Sequence, residues 1–414
     1  MEHSTSDTLV IGNGYDLACG LKSSFADYIS YAKKRSTGFA KYLSFCGKAI
    51  QRPDYPKGYS VYDNAIASAC KGLNLWLLVL GAISVYFSGK EELFWSDVEE
   101  AIHDIVYKKK NPNGKYTRFD PVQIFDTAYY LADEKEFDER YAGVALGLAS
   151  ALLNYEPELH PTKKTDPASI HRFYLAQLRK FEHGFSEYLS HTLKHAENYE
   201  ERSRDLFDCL CALNGTENDS LSNVISFNYV PFSRARFPIL VDNHLIGHVH
   251  GEIDGSILIG VMPLGEEYEP FESTYWFSKE YRRFDLLGHP NNAIRMPSIG
   301  QGIVFFGLSL SRQDYHTVFR IFDALLETRD SNLAGIPPLS GRTLTFAYYV
   351  YDPAHGEAIK ARLFSSIKDA LIAWNKLRKM HWPNVIDDLI DLGVLSICEI
   401  KKDKHGKFYP AKER

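Results

Sequence analysis

The opening of the chain constrains the fold more than any other stretch. Thr8–Ile11 is a short apolar run that breaks at Gly12-Asn13-Gly14, and helical spacing then places Phe25, Tyr28, Ile29 and Ala32 at i, i+3, i+4 and i+7. Strand, glycine turn and helix form the first repeat of an α/β layer fold. Ser23 or Ser24 is positioned to cap the helix. Five later runs are apolar almost throughout: Val224–Phe227, Leu245–His248, Ser256–Val261, Gly302–Gly307 and Thr343–Val350. Continuous rather than alternating hydrophobicity predicts strands buried on both faces, as in a parallel sheet. A helix from about Asp314 to Thr328 joins the last two runs into a βαβ unit, and another runs from about Gly356 to Leu377.

Between Ala40 and Leu213 the pattern is almost wholly helical, with apolar faces near Ala65–Phe87, Glu91–Val106, Pro121–Ala132, Tyr141–Leu153 and Ser169–Ala196. Polar, turn-rich breaks fall at Lys108–Lys115 and Glu156–Asp166. The expected organisation is an α/β domain from residues 1–36 and 214–400, a helical insertion or cap at 37–213, and a basic, solvated tail at 401–414.

Composition excludes several classes. With 45% hydrophobic and 24% charged residues among 414, the chain is an ordinary globular one, not a disordered one. A net charge of −6 argues against bulk phosphate neutralisation, so no nucleic-acid partner is expected. The six cysteines, Cys19, Cys46, Cys70, Cys209, Cys211 and Cys398, read as buried thiols of a reducing compartment. Cys209 and Cys211 alone make a weak metal signal. The first residues carry no basic, cleavable leader, which points to the cytoplasm. The most apolar segment, Leu73–Phe87, is shorter than the roughly 18–20 residues of a membrane span and reads as a core helix.

Four motifs sit at predicted strand ends. Gly12-Asn13-Gly14-Tyr15-Asp16 is either a tight structural turn or a backbone approach to a pyrophosphate; Asp16 either caps the helix or bonds a ribose hydroxyl. In Ser226-Phe227-Asn228-Tyr229, the Asn228 amide either ties a turn or holds a ligand hydroxyl or water. In Gly247-His248-Val249-His250-Gly251, alternation sends both imidazoles to one face, although Gly251 suggests a turn there. With Glu252 and Asp254 nearby, the pair is a metal site, a proton-transfer site or a structural pair; no further ligand is evident, and no metal is expected. Gly307-Leu308-Ser309-Leu310 with Asp314 is again a phosphate- or ribose-binding geometry, or a helix start with a favourable acid.

In this order the motifs resemble the AbiH family of bacteriophage abortive-infection proteins. The similarity rests on IGNGYDLACGLKSSFADY from Ile11, FWSDVE at Phe94–Glu99, then SFNY, HVHG, ILIG and FFGLSLSRQDY, ending at Tyr315. Such proteins look like distant relatives of the sirtuin-type NAD-binding fold, which implies a Rossmann-like parallel sheet with a large helical insertion. The resemblance implies Asn228, His250 and Asp16 as the candidate catalytic residues for cleaving the nicotinamide–ribose bond of NAD. Candidate cofactor contacts are Gly12, Asn13, Gly14, Asp16, Tyr229, His248, Gly251, Gly307, Ser309 and Asp314. Trp95, Asp97 and Glu99 are either near the site or first-turn acids of a helix.

The sequence departs from sirtuins in three places. GNGYD replaces the small-residue loop, the arginine-bearing loop has no counterpart beyond Lys22, and no four-cysteine zinc module is present. The leading expectation is therefore an antiphage effector that binds and hydrolyses NAD, with a phage-derived trigger or defence partner and self-association into a homo-oligomer. The alternatives are a nucleotide-sensing switch without turnover and, behind it, a metal-dependent nuclease.

Overall fold

The computed structural model describes residues 8–51, 68–87, 167–213, 223–243, 245–253, 257–261, 272–283, 302–326, 342–351, 353–379 and 382–411, with short pieces at 98–99, 102, 108–109 and 268–269. The helices expected at Pro121–Ala132 and Tyr141–Leu153 lie outside these residues, as do Trp95 and Asp97. Seven strands build one sheet: β1 Thr8–Ile11, β2 Asn223–Ser226, β3 Ile246–His248, β4 Gly302–Phe306, β5 Thr343–Tyr349, β6 Leu395–Lys402 and β7 Phe408–Pro410. The first helices are α1 Gly14–Ala18, α2 Phe25–Arg35, α3 Thr37–Gln51, α4 Leu75–Phe87 and α5 Pro167–Lys194. They are followed by α6 Tyr199–Ala212, α7 Pro238–Asp242, α8 Lys279–Arg282, α9 Tyr315–Leu326, α10 Gly356–Leu377 and α11 Val385–Asp391.

The strand order is β3-β2-β1-β4-β5-β6-β7. Every pairing is parallel except the last. The first six strands follow the doubly wound order of nucleotide-binding α/β folds, with reversal between β1 and β4. Alternation along β1 shows why its run had to be continuously apolar. Val10 faces a core built with Phe305 of β4 and with Phe322, Leu371 and Trp374 from α9 and α10, whereas Leu9 and Ile11 face Tyr15, Leu206, Phe207 and Leu210 from α1 and α6. Each fully buried side chain of this size stabilises the fold by about 1.5–3 kcal/mol.

The chain divides into two compact units, residues 1–23, 189–257 and 286–414 in one and 24–188 and 258–285 in the other. These boundaries differ from the expected ones, for reasons of packing. Tyr28 of α2 packs its ring on Phe181, Phe185 and Tyr188 of α5, which places α2 with the helices. The apolar face of α6 belongs to the sheet core, so 189–213 joins the sheet. In the helical unit, α2 starts at a capping box between Ser24 and Asp27, and Ser24 is the capping residue. Leu73–Phe87 is a core segment: Trp76 is fully buried and its indole N–H donates to the Tyr174 carbonyl at 3.0 Å. No helix among the described residues is long and apolar enough to cross a membrane.

Two expectations are corrected. Ile257–Val261 forms no strand. Val261 makes a single bridge to Ser278, and the apolar character serves burial, with Ile259 and Val261 fully covered. The basic tail is not a solvated end. It completes β6 and returns as β7, around a turn in which the Asp403 carboxylate accepts from His405 and Lys407 amides at 2.8 and 2.9 Å. Phe408 is buried, and the Lys402 ammonium lies over the Tyr349 and Phe408 rings at 5.1 and 4.5 Å from their centroids. Charged residues on an edge strand deter edge-to-edge association, and they hide the strand from a reading based on hydrophobicity.

Candidate functional site

The glycine turns meet at the reversal point of the sheet. The Gly12 N–H donates to the Phe306 carbonyl and the Gly14 N–H to that of Gly307, both at 2.9 Å. A Cβ on Gly12 would lie 2.5 Å from the Gly307 oxygen, and one on Gly14 would lie 2.5 Å from the Gly307 Cα. Gly307 itself has φ +67°, and a side chain there would meet the Tyr15 nitrogen at 2.6 Å. These three glycines thus serve the close approach of two backbones. The two amides expected to cradle a phosphate are already committed to carbonyls. Asn13 is likewise engaged, since its Oδ1 accepts from the Ser23 hydroxyl at 2.7 Å.

Asp16 follows on α1 and does not cap it. Its carboxylate is 2% exposed and accepts from the Tyr199 hydroxyl at 2.6 Å. Burial raises its pKa from the ordinary 3.8 to about 7, against the opposing pull of Tyr199 and the nearby Asn228 amide. Tyr199, whose own pKa burial raises well above 10, remains a donor throughout the physiological range. Tyr15 turns elsewhere, to the carbonyl oxygen of Ser203 at 2.5 Å and its hydroxyl at 2.9 Å.

Asn228 stands just past β2 with its backbone held on both sides. Its N–H donates to the Ser226 hydroxyl at 3.2 Å, and its carbonyl accepts from His248 Nδ1 at 3.1 Å. The side chain is treated differently. Although 2% exposed and near enough to Asp16 to favour its ionised form, neither amide atom makes a bond of acceptable geometry among the described residues. Asn228 and Asp16 line one cavity of about 320 Å³. Tyr199, Glu200 and Ser203 of α6 form one side, and the 230–237 segment, including Phe232, Arg234 and Phe237, forms another. The volume lies at the small end for ligand sites and suits one nucleoside moiety better than a whole dinucleotide.

His250 is not among the cavity walls. Its Nε2 donates to Asp314 Oδ1 at 3.1 Å, and its ring packs against Phe227 and Tyr229 at centroid distances of 5.6 and 6.0 Å. In the bend past β2 the groups separate: Phe227 and Tyr229 meet His250, whereas Asn228 and Val230 line the cavity. Asn228 and His250 therefore do not share this cavity. His248 sits 3.6 Å from Glu252 through Nε2, and burial lowers its pKa. The two imidazoles thus face different carboxylates and do not act as one ligand pair. Gly251, at φ +73°, makes the turn, Ser309 is exposed, and Asp314 precedes α9 while holding His250. No cluster of three or more His, Cys, Asp or Glu residues able to hold a metal occurs among the described residues. Cys209 and Cys211 are buried thiols outside any disulfide. Glu99 lies in the helical unit, where it pairs with Lys279 at 2.9 Å.

Sequence reasoning missed Tyr199, Ser203, Phe232 and Arg234, because nothing in the α6 sequence or the 230–237 loop marks them locally. No curated protein and no solved structure matches the chain. The sequence model of one family, described as bacteriophage abortive infection AbiH, does match over residues 8–331, a stretch that contains both glycine turns, Asn228 and His250. The chain belongs to the AbiH family of bacteriophage abortive-infection proteins.

Proposed function

We propose that this protein acts in abortive infection by binding NAD+ beside the carboxyl ends of β1 and β2 and hydrolysing its nicotinamide–ribose bond. The observation that carries the reading is Asn228. A buried amide with a fixed backbone and unpartnered side-chain atoms, lining a cavity, is a group kept ready for a ligand or a water. The doubly wound strand order supports it, since such sheets bind ligands beyond the carboxyl ends of their strands.

In the reaction, water adds to C1′ of the ribose. The C1′–N bond breaks, its electron pair leaves on nicotinamide, and the water's surplus proton passes to a base. Asn228 orients the water, and Asp16 holds ribose hydroxyls and accepts that proton. His250, fixed by Asp314 and packed on Phe227 and Tyr229, supports the Asn228 segment from its other side. The reading fits a cytoplasmic effector gated by a phage-derived trigger and by self-association.

Purified protein incubated with NAD+ is expected to release nicotinamide. Asn228→Ala should lower the rate by about 100-fold or more while leaving NAD+ binding measurable. Absence of both binding and turnover overturns the proposal. A second reading, nucleotide sensing without turnover, is favoured by the placement of His250 outside the cavity walls. It predicts binding that Asn228→Ala weakens and no nicotinamide release under any condition.

A further inference from the structure

Asp16 is a buried carboxylate without a cation. No Lys, Arg or His lies within ion-pair distance of it among the described residues; the groups that favour its ionised form are neutral, the Tyr199 hydroxyl at 2.6 Å and the nearby Asn228 amide. Burying an ionised carboxylate is costly unless a positive charge accompanies it. The other charged groups of the cavity are committed elsewhere. Arg234 pairs with Asp242 at 2.8 Å, and Glu200 faces Arg236 at 3.7 Å. The titratable groups that feel the Asp16 charge, Tyr15 on its own helix, Cys19 just past that helix and Tyr199 on α6, all have raised pKa values and are neutral near pH 7.

Three aromatic rings line the same cavity as this carboxylate. Phe232 and Phe237 meet edge to face with centroids 4.7 Å apart, and Tyr15 lies 6.0 Å from Phe232. All three line the cavity. Aromatic faces around a carboxylate form a receptor for a positive charge, because ring quadrupole and counter-ion act in the same direction. The Asn228 amide beside them offers both a donor and an acceptor to a polar substituent.

We propose that this cavity receives a flat, positively charged ring of the ligand, with the Asp16 carboxylate as its counter-ion. On the NAD+ reading given above, on which the identity of the ring rests, that ring is the pyridinium of the oxidised nicotinamide, and the reduced, uncharged dinucleotide is discriminated against. Binding such a ring draws Asp16 into its ionised form, so affinity rises with pH through about 7 and binding at pH 7 releases about half a proton.

The test is titration calorimetry on the full chain, in buffers of different ionisation enthalpy between pH 6 and 8. The ligands are carba-NAD+, which keeps the pyridinium and resists hydrolysis, NADH, and 1-methylnicotinamide as the isolated cation. Carba-NAD+ should bind about tenfold or more tighter than NADH, with proton release. Asp16→Asn should remove both the preference and the release. Equal binding of the two dinucleotides with no proton linkage overturns the counter-ion proposal and leaves NAD binding standing. Binding of 1-methylnicotinamide that depends on Asp16, without binding of either dinucleotide, supports the cation site and overturns the NAD reading. If no ligand binds, both fall. The pH dependence in the unaltered protein keeps the test decisive even if Asp16→Asn fails to fold.

Discussion

Four carboxylates are buried among the described residues, two in each unit; Asp314 of the sheet unit meets the His250 imidazole at 3.1 Å, and the other three divide by unit. In the helical unit, Glu182 takes both forks of Arg282 at 2.6 and 2.7 Å and the Ile259 N–H at 2.6 Å. Glu99 takes Lys279 at 2.9 Å, with side-chain exposures of 5% and 1%. Each charge comes with its opposite. In the sheet unit, Asp16 is as deeply buried and has a tyrosine hydroxyl in place of a cation. Burial is thus shared and compensation is not. The paired carboxylates fasten α5 and the segment around α8 to their surroundings; the uncompensated one borders a cavity, where a ligand can supply what the fold does not.

The comparison is broken most easily at the paired site. Arg282→Ala leaves Glu182 buried without its cation, and the expected cost is about 3–5 kcal/mol. Burial already raises the Glu182 pKa while Arg282 opposes it, so removing the arginine also drives protonation of the acid. Chemical denaturation of the full chain, followed by tryptophan fluorescence, measures this. A loss below about 1 kcal/mol would mean that the pair is as dispensable as a surface one, and the distinction between the two regions would lose its basis.

At Asp16 the same experiment has the opposite sign. Its pKa rises from 3.8 unfolded to about 7 folded, so between those values the folded protein holds a proton that the unfolded chain has released. Stability contributed by this proton is complete below about pH 4, falls as pH rises to about 7, and is flat beyond. The span corresponds to at most about 4 kcal/mol. Asp16→Asn cannot ionise, so it should abolish the slope and equal or exceed the parent's stability at pH 8. Parallel stability curves for the two proteins between pH 4 and 8 would show that Asp16 is not the group responsible.

Much of the sheet was legible in the residues. The runs at Thr8, Val224, Gly302 and Thr343 are apolar on both faces because each strand packs against helices on both sides. The glycines at 12, 14 and 307 were legible as special, but their reason was not. Local sequence cannot distinguish a glycine that lets a phosphate approach from one that lets another glycine turn approach. The strands at Leu395 and Phe408 were hidden by their lysines, of which Lys402 sets its ammonium over two aromatic rings. Asn228 and Asp16 stood out by type and position, whereas Tyr199, 183 residues from Asp16, becomes its partner only through the packing of α6 on the sheet. The separation of Asn228 from His250 was not legible, because past β2 the chain leaves the ladder and bends, and sequence spacing stops reporting direction.

Tyr199 offers the smallest and most specific test. Its hydroxyl stabilises the ionised form of Asp16 more than the neutral form, because a donor bonds a carboxylate more strongly than a carboxylic acid. Tyr199→Phe should therefore cost about 1–2 kcal/mol above pH 7 and less below pH 5. The midpoint of the pH-dependent loss of stability should move upward by about one pH unit. Tyr15→Phe is the control, since the Tyr15 hydroxyl bonds Ser203 and not Asp16. It should lower stability equally at both ends of the pH range and leave the midpoint in place. If both phenylalanine variants shift the midpoint alike, the effect comes from general repacking near α6. If only Tyr199→Phe does, a single neutral hydroxyl is what holds the uncompensated carboxylate ready to ionise.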